Sequence, residues 1–279
     1  MRRLSLLILL PFLQVFPTGA AEDMTGRPPK VLLVEWESLR PGTTAAHDKV
    51  AAGFAALAAR TKSKGHWIGL NPVAGDENTA LFLGGFPSFA AAEEVRKAEE
   101  SAVAASPVLR AEMEKLEKAG AAVHTAQKAV WTTYQDELSF GPPGPAVIGK
   151  ARFMEVVVTR VRPGRIPEYV EFLKAVNLGR EKAKLDVRFA VFQVASGAPT
   201  GTFIILRPLV SMAALDDDGM KSLVTALGDE AWKKLRMTYA EIVEENTRTL
   251  FAINPKISYP YPPVAAADPS FWKAKPATP

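Results

Sequence analysis

Val31-Leu32-Leu33-Val34-Glu35-Trp36-Glu37-Ser38-Leu39-Arg40-Pro41-Gly42 returns in kind, 122 positions later (40 to 162), as Phe153-Met154-Glu155-Val156-Val157-Val158-Thr159-Arg160-Val161-Arg162-Pro163-Gly164. Each copy is a β-branched and apolar run halted by a Pro-Gly turn, which is the pattern of a buried strand feeding a helix. At the same offset Trp67 falls on Phe189, Asn71 on Gln193, Gly75 on Gly197 and Phe82 on Ile204. With a slip of about three residues, Glu137-Leu138-Ser139-Phe140 falls on Lys256-Ile257-Ser258-Tyr259. Self-similarity at a fixed spacing marks an internal duplication. Gly141-Pro142-Pro143-Gly144-Pro145 lies between the copies and can extend neither a helix nor a ladder, so it reads as the linker.

Outward from the first strand, both copies show the same succession of periods. A helix is expected over 43–60 and 166–184, then two strands over 67–73 and 79–86, repeated over 187–195 and 202–207. Ser88 and Ser211 stand at N-cap positions of short helices. Long helices are expected over 108–129 and 229–247, followed by closing strands at 130–134 and 249–253. The order β-α-β-β-α-β is the ferredoxin-like arrangement, an antiparallel sheet with helices on one face. The bare face of one sheet needs cover, and the second copy can supply it. The expected fold is therefore α+β, two tandem ferredoxin-like repeats (27–141 and 146–260) packed as an intrachain pseudo-dimer. Association beyond that, monomer or homodimer, stays open.

In element order, in Arg-Pro-Gly after the first strand and in the Gly197-Ala198-Pro199-Thr200-Gly201 hairpin, the chain resembles the dimeric α/β barrel superfamily. That group includes antibiotic-biosynthesis-monooxygenase-like and NIPSNAP-like domains. The resemblance spans roughly residues 30 to 260 and implies the barrel fold. It fixes no chemistry, because its members include cofactor-free oxygenases, haem-binding enzymes and isomerases.

Strand alternation separates two faces. Leu32, Val34 and Trp36, with Met154, Val156 and Val158, are apolar and are expected to meet the helices. The opposite face carries Glu35 and Glu37 in one copy and Glu155 in the other, and is expected to line the space between sheets. There Glu35 and Glu155 become candidate general bases, since desolvation raises a carboxyl pKa. The alternative is that they meet solvent or pair with Arg160, Arg188 or Arg207. Trp67 with Asn71, and Phe189 with Gln193, form candidate ligand walls, a stacking ring beside an amide; otherwise the rings are core and the amides satisfy strand edges.

The chain of 279 residues has 48% hydrophobic and 23% charged positions, enough to bury a core. Lys and Arg number 34 against 30 Asp and Glu, and the signs interleave, which argues against nucleic acid as a partner. With no Cys, thiolate nucleophiles, disulfides and Cys-ligated metals are excluded. There are three His. His66 precedes a strand and is a candidate acid/base group, while His47 and His124 fall on the expected first and long helices. None has a ligand-spaced partner in sequence, so no metal and no cofactor is implied. Asp216-Asp217-Asp218-Gly219 lacks the remaining ligands of a calcium loop.

Met1-Arg2-Arg3, the apolar run from Leu4 to Phe16 and Gly19-Ala20-Ala21 form a signal-peptide pattern over 1–21. A periplasmic or secreted protein with no membrane span after cleavage is expected. The Pro-rich tail, 261–279, reads as extended, either clamped along the body by its aromatics or poorly ordered after Val264, with a recognition role open. Three functions remain open: binding of a small, partly apolar ligand in a cavity; a cofactor-free monooxygenase-like or isomerase-like enzyme using Glu35 or Glu155; and an assembly role in the envelope.

Overall fold

The computed structural model describes residues 26–217 and 219–273; the signal-peptide pattern lies outside them. The quoted run forms β1 (Val31–Leu39), which leaves the sheet at the Arg-Pro-Gly turn and enters α1 (Thr44–Thr61). A hairpin follows, β2 (Trp67–Ala74) and β3 (Thr79–Phe86), then α2 (Phe89–Ala105), α3 (Pro107–Val123) and β4 (His124–Tyr134). Ser88 caps α2 as expected, accepting from the Ala91 amide at 3.1 Å. A short helix, α4 (Pro145–Lys150), opens at the linker, where Pro145 occupies a first-turn position that needs no amide hydrogen.

The second half repeats the order: β5 (Phe153–Val161), α5 (Ile166–Lys182), β6 (Ala190–Ser196), β7 (Thr202–Leu209), α6 (Met220–Leu227), α7 (Asp229–Ile242) and β8 (Val243–Ile253). All strand pairs are antiparallel, and the sheet closes as a barrel in the order β1-β3-β2-β8-β5-β7-β6-β4. Each half contributes four adjacent strands, β4-β1-β3-β2 and β8-β5-β7-β6. Two seams join them: β2 to β8, with Leu70 opposite Ile253, and β4 to β6, with Tyr134 opposite Phe192. Closure removes the free edges on which a four-stranded sheet would otherwise pair with other chains.

The closing strands begin earlier than expected, at His124 and Val243, and the long helices stop at Val123 and Ile242. The first half of β4 is exposed and polar, so its sequence carries no period-2 signal. What makes it a strand is backbone pairing with β1, Gln127 opposite Glu37 and Lys128 opposite Trp36. Long-range pairing overrides local helix propensity here.

The two strand faces are the reverse of the expectation. Leu32, Val34, Leu70, Leu81, Met154, Val156, Phe192, Ile204 and Phe251 pack together inside the barrel, drawing on both halves. Each fully buried Leu or Val there contributes roughly 1.5–3 kcal/mol. The face bearing Glu35, Glu37 and Glu155 turns outward, toward the helices. A largely apolar face on eight strands closes on itself, which takes its side chains out of water; the mixed face, with its carboxylates, is left to the helices.

The tail is clamped by its aromatics, one of the two expectations, but as helix and not as extended or poorly ordered chain. Residues up to Lys273 form α8 (Pro262–Ala267) and α9 (Pro269–Trp272), which pack on α4. Trp272 is 7% exposed, belongs to the barrel core and donates its indole hydrogen to the Gly149 carbonyl at 2.8 Å. Arg152 pairs with Asp268 and lies over the Phe271 ring, 4.0 Å from its centroid. Prolines start these helices at positions that need no amide hydrogen, and the aromatics hold them against the barrel end. Among the described residues no helix is long and apolar enough to cross a membrane.

Candidate functional site

Between the outward face of the first half and its helices lies a cavity of about 80 Å³. Leu33, Glu35 and Glu37 enter it from alternate positions of β1, and His47, Ala51 and Phe54 from positions three or four apart on α1, one face of that helix. Trp67 and His66 come from the start of β2, Phe82 and Phe86 from β3, Glu99 from α2 and His124 from the first position of β4. Register places Glu35 opposite Phe82 and Leu33 opposite Gly84, whose missing side chain leaves room beside Trp67. The lining is mainly apolar, and three of its polar groups, Glu37, His47 and His124, come together at one place.

With Asp48 behind them, these three form a relay. Asp48 faces His47 Nδ1 at 3.4 Å, His47 Nε2 meets Glu37 Oε2 at 2.7 Å, and His124 Nε2 stands 3.3 Å from the same oxygen. Gln127 donates to Glu37 Oε1 at 2.8 Å. Glu37 and His47 are only 6% and 2% exposed. Burial by itself would push the Glu37 carboxyl up, but the close approach of His124, the hydrogen bond from His47 and the charges of both rings bring it down to about 2. Burial would likewise lower His47, yet the bonds to Asp48 and Glu37 and the two carboxylate charges raise it to about 9. The pair is an imidazolium held between carboxylates.

Glu35 is different. Among the described residues no hydrogen-bond donor reaches its carboxyl, and the residue lies on the cavity wall. Burial, with the neighbouring Glu37 charge adding to it, pushes its pKa up to about 7. His66 is pushed down to about 4 by burial, partly offset by a backbone hydrogen bond at Tyr259; its ring stacks on Tyr259 with centroids 4.9 Å apart. A second space of about 110 Å³ lies at the barrel end beneath α4 and α8, and His66 and Trp67 line both.

Of the residues singled out in the sequence, Glu35, His66 and Trp67 meet in one cavity. Trp67 also donates its indole hydrogen to the Ile257 carbonyl at 2.8 Å, which fixes the ring in place. Asn71 is not on the cavity wall: it donates to Asp48 at 3.0 Å, behind His47. Glu155 does not face Glu35 across an interior. It is buried in the other half between Arg207 at 3.7 Å and Arg248 at 3.4 Å, the ion-paired alternative. Phe189 is core, packed on Phe140 with the Arg180 guanidinium over its ring, and Gln193 sits on β6 opposite Phe203. Where the first half has its cavity, the second is filled by Tyr169, Leu173, Phe203 and Ile242. A single half therefore holds the site.

Sequence spacing missed Glu37, His47 and His124, whose ligating atoms lie within 4.8 Å of one another. Their spacing in the chain is long because they come from three elements. One signal was legible: Glu37 shares strand parity with Glu35, and His47 lies in the first turn of the helix that the Arg-Pro-Gly turn folds back over the end of β1.

No known family profile matches the sequence, and no curated protein matches it. Solved structures do match in shape. A candidate monooxygenase from Fusobacterium nucleatum subsp. nucleatum superposes with a TM-score of 0.51 at 9% identity, covering 82% of this chain and 94% of its own. An anthrone oxidase-like protein gives a TM-score of 0.51 at 16% identity, covering 84% and 93%. The chain thus has the fold of the dimeric α/β barrel superfamily, completed within one polypeptide. Some members of that superfamily hold haem. Here Phe54, Phe82, Phe86 and Trp67 close on a space the size of a single ring, and the buried His47 already spans two carboxylates, so the residues present do not fit a porphyrin.

Proposed function

We propose that this is an exported protein, periplasmic or secreted, built of two ferredoxin-like repeats, whose first-half cavity binds a small, partly apolar molecule through Glu35. The observation that supports it is a carboxyl at the wall of an apolar cavity with no internal hydrogen-bond donor. Buried polar groups are normally satisfied, and one left open toward a cavity calls for a donor from the ligand. The ligand class is a ring-sized apolar body with one O–H, N–H or acidic C–H.

A second reading follows from the same placement. A carboxylate positioned at a C–H or O–H in a largely apolar cavity is a general base, so monooxygenase-like or isomerase-like proton abstraction by Glu35 is the enzymatic form of the proposal. The oxidase-like shape neighbours agree with it at the level of fold only.

The test uses 4-methylphenol, one ring and one hydroxyl, titrated into the protein while the Trp67 indole N–H resonance is followed by NMR. A saturable shift is expected, weakened by Glu35→Gln and abolished by Phe82→Trp, which fills the cavity. A shift that does not saturate, or one that Phe82→Trp leaves intact, overturns the assignment.

A further inference from the structure

Glu37, His47 and His124 present one oxygen and two nitrogens on the wall of the cavity. Glu37 Oε2 lies between His47 Nε2 at 2.7 Å and His124 Nε2 at 3.3 Å, and all three atoms fall within 4.8 Å of one another. His124 Nε2 is buried, yet it completes no hydrogen bond of acceptable geometry. Such a group is costly unless something else satisfies it.

Behind the three, a second layer is already in place. His47 Nδ1 faces Asp48, and Asp48 is itself held by amide hydrogens from Asn71 at 3.0 Å and Asn254 at 3.1 Å. Gln127 touches Glu37 Oε1 at 2.8 Å and His124 Nδ1 at 3.2 Å. A carboxylate behind a histidine, fixing its tautomer so that the far nitrogen points inward, is the support that metal-bound imidazoles usually have.

The two halves of the barrel supply an internal comparison. Glu37, seventh in β1, corresponds to Thr159, seventh in β5; His47, fourth in α1, to Tyr169, fourth in α5; and His124, first in β4, to Val243, first in β8. The last pair is fixed by register too, His124 opposite Leu39 and Val243 opposite Val161. All three donors are present in one half and all three are absent from the other, where the same places hold packing residues. Nothing in the barrel's geometry requires them, which separates them from the scaffold.

We propose that Glu37, His47 and His124 bind one divalent first-row transition ion, of which zinc is the type, with a coordination position open to the cavity. Two imidazoles and one carboxylate suit such an ion; calcium and magnesium prefer all-oxygen sets. The ion takes the place of the hydrogen that His47 and Glu37 now share. Three protein ligands with a free position are the arrangement of zinc sites that bind a further molecule. This goes beyond the binding of an apolar ligand and does not depend on it, since zinc binding is read with no 4-methylphenol present.

The experiment is calorimetric titration of Zn²⁺ into tag-free, chelator-treated full-length mature protein, with X-ray absorption on the loaded sample. One ion per chain is expected, with two imidazole nitrogens in its shell. Glu37→Gln and His124→Gln are each expected to weaken binding at least tenfold, while Asp76→Asn, on the exposed β2–β3 loop, leaves it unchanged. Absence of stoichiometric binding, binding that Glu37→Gln and His124→Gln both retain, or a shell with fewer than two imidazoles overturns the site. The absorption spectrum, taken on unaltered protein, decides the matter should either variant fail to fold.

Discussion

Asn254, just beyond β8, donates its amide hydrogen to Asp48 Oδ2 at 3.1 Å, across 206 positions of chain. The second half of the barrel thereby holds a residue of the first-half site, and Asn71 shares the task from β2. Asn71→Ala and Asn254→Ala should each lower stability by about 1 kcal/mol, the usual worth of such a bond. Because both amides serve one carboxylate, the double variant should deviate from additivity by at least about 0.5 kcal/mol. Urea denaturation of the four proteins in the cycle reads this, and strict additivity would show that Asp48 is held by something else.

Glu35 and Glu155, twins by sequence, should respond oppositely to neutralisation. Glu35→Gln removes a desolvated charge with no internal donor and should raise stability by about 1 kcal/mol or leave it unchanged. Glu155→Gln leaves Arg207 and Arg248 without their carboxylate, and Arg207 is largely buried; a loss of about 1–2 kcal/mol is expected. Thermal midpoints at neutral pH check both signs.

His66 makes the fold sensitive to mild acid. Its pKa is about 4 in the folded protein and about 6.5 unfolded, so between those values the unfolded chain binds more protons. Its neutral form costs nothing above about pH 6.5; below that, stability falls, and the loss levels off beneath pH 4 at no more than about 3 kcal/mol. His66→Gln should flatten that part of the stability–pH curve. An unchanged slope between pH 6.5 and 4 would place the acid sensitivity elsewhere.

Gly197 has φ +93°, and a Cβ there would run into the Ala129 carbonyl across the β4–β6 seam. Gly197→Ala should therefore cost roughly 2–4 kcal/mol. Gly120, inside α3, would place its Cβ 3.5 Å from His124 Cε1, an ordinary contact. Gly120→Ala should be neutral or gain up to about 1 kcal/mol. Comparable losses at both positions would remove the seam from the explanation.

Neither half should stand alone. A fragment of residues 27–145 keeps β4-β1-β3-β2 but bares the apolar face of Leu32, Val34, Leu70 and Leu81 and both seam edges. It should aggregate or self-associate. A cooperatively melting monomer in light scattering and calorimetry would contradict this.

Much of the fold was legible because strand and helix periods, the Arg-Pro-Gly turns and the doubled order are local. Which face of β1 turns inward was not, since an apolar face can be covered equally well by helices or by other strands; only closure of eight strands decides it. The polar start of β4 was hidden for a similar reason, its strand state being set by β1 and not by its own residues. At the site, Glu35, His66 and Trp67 could be picked out as residue types in a plausible wall. His47 and His124 could not be paired with Glu37, because three residues from a strand, a helix and another strand have no common spacing until the chain folds.

Tyr169, standing in α5 where His47 stands in α1, is 1% exposed and packed on Phe203. A barrel assembled from two identical subunits carries each residue twice, so a polar relay costly to bury must be carried in duplicate, and any change to it strikes both copies. Joining the halves in one chain lifts that symmetry. One half is filled with packed rings, and the other is free to keep charged groups in a cavity. One chain then offers one such cavity, and its two halves answer a ligand unequally.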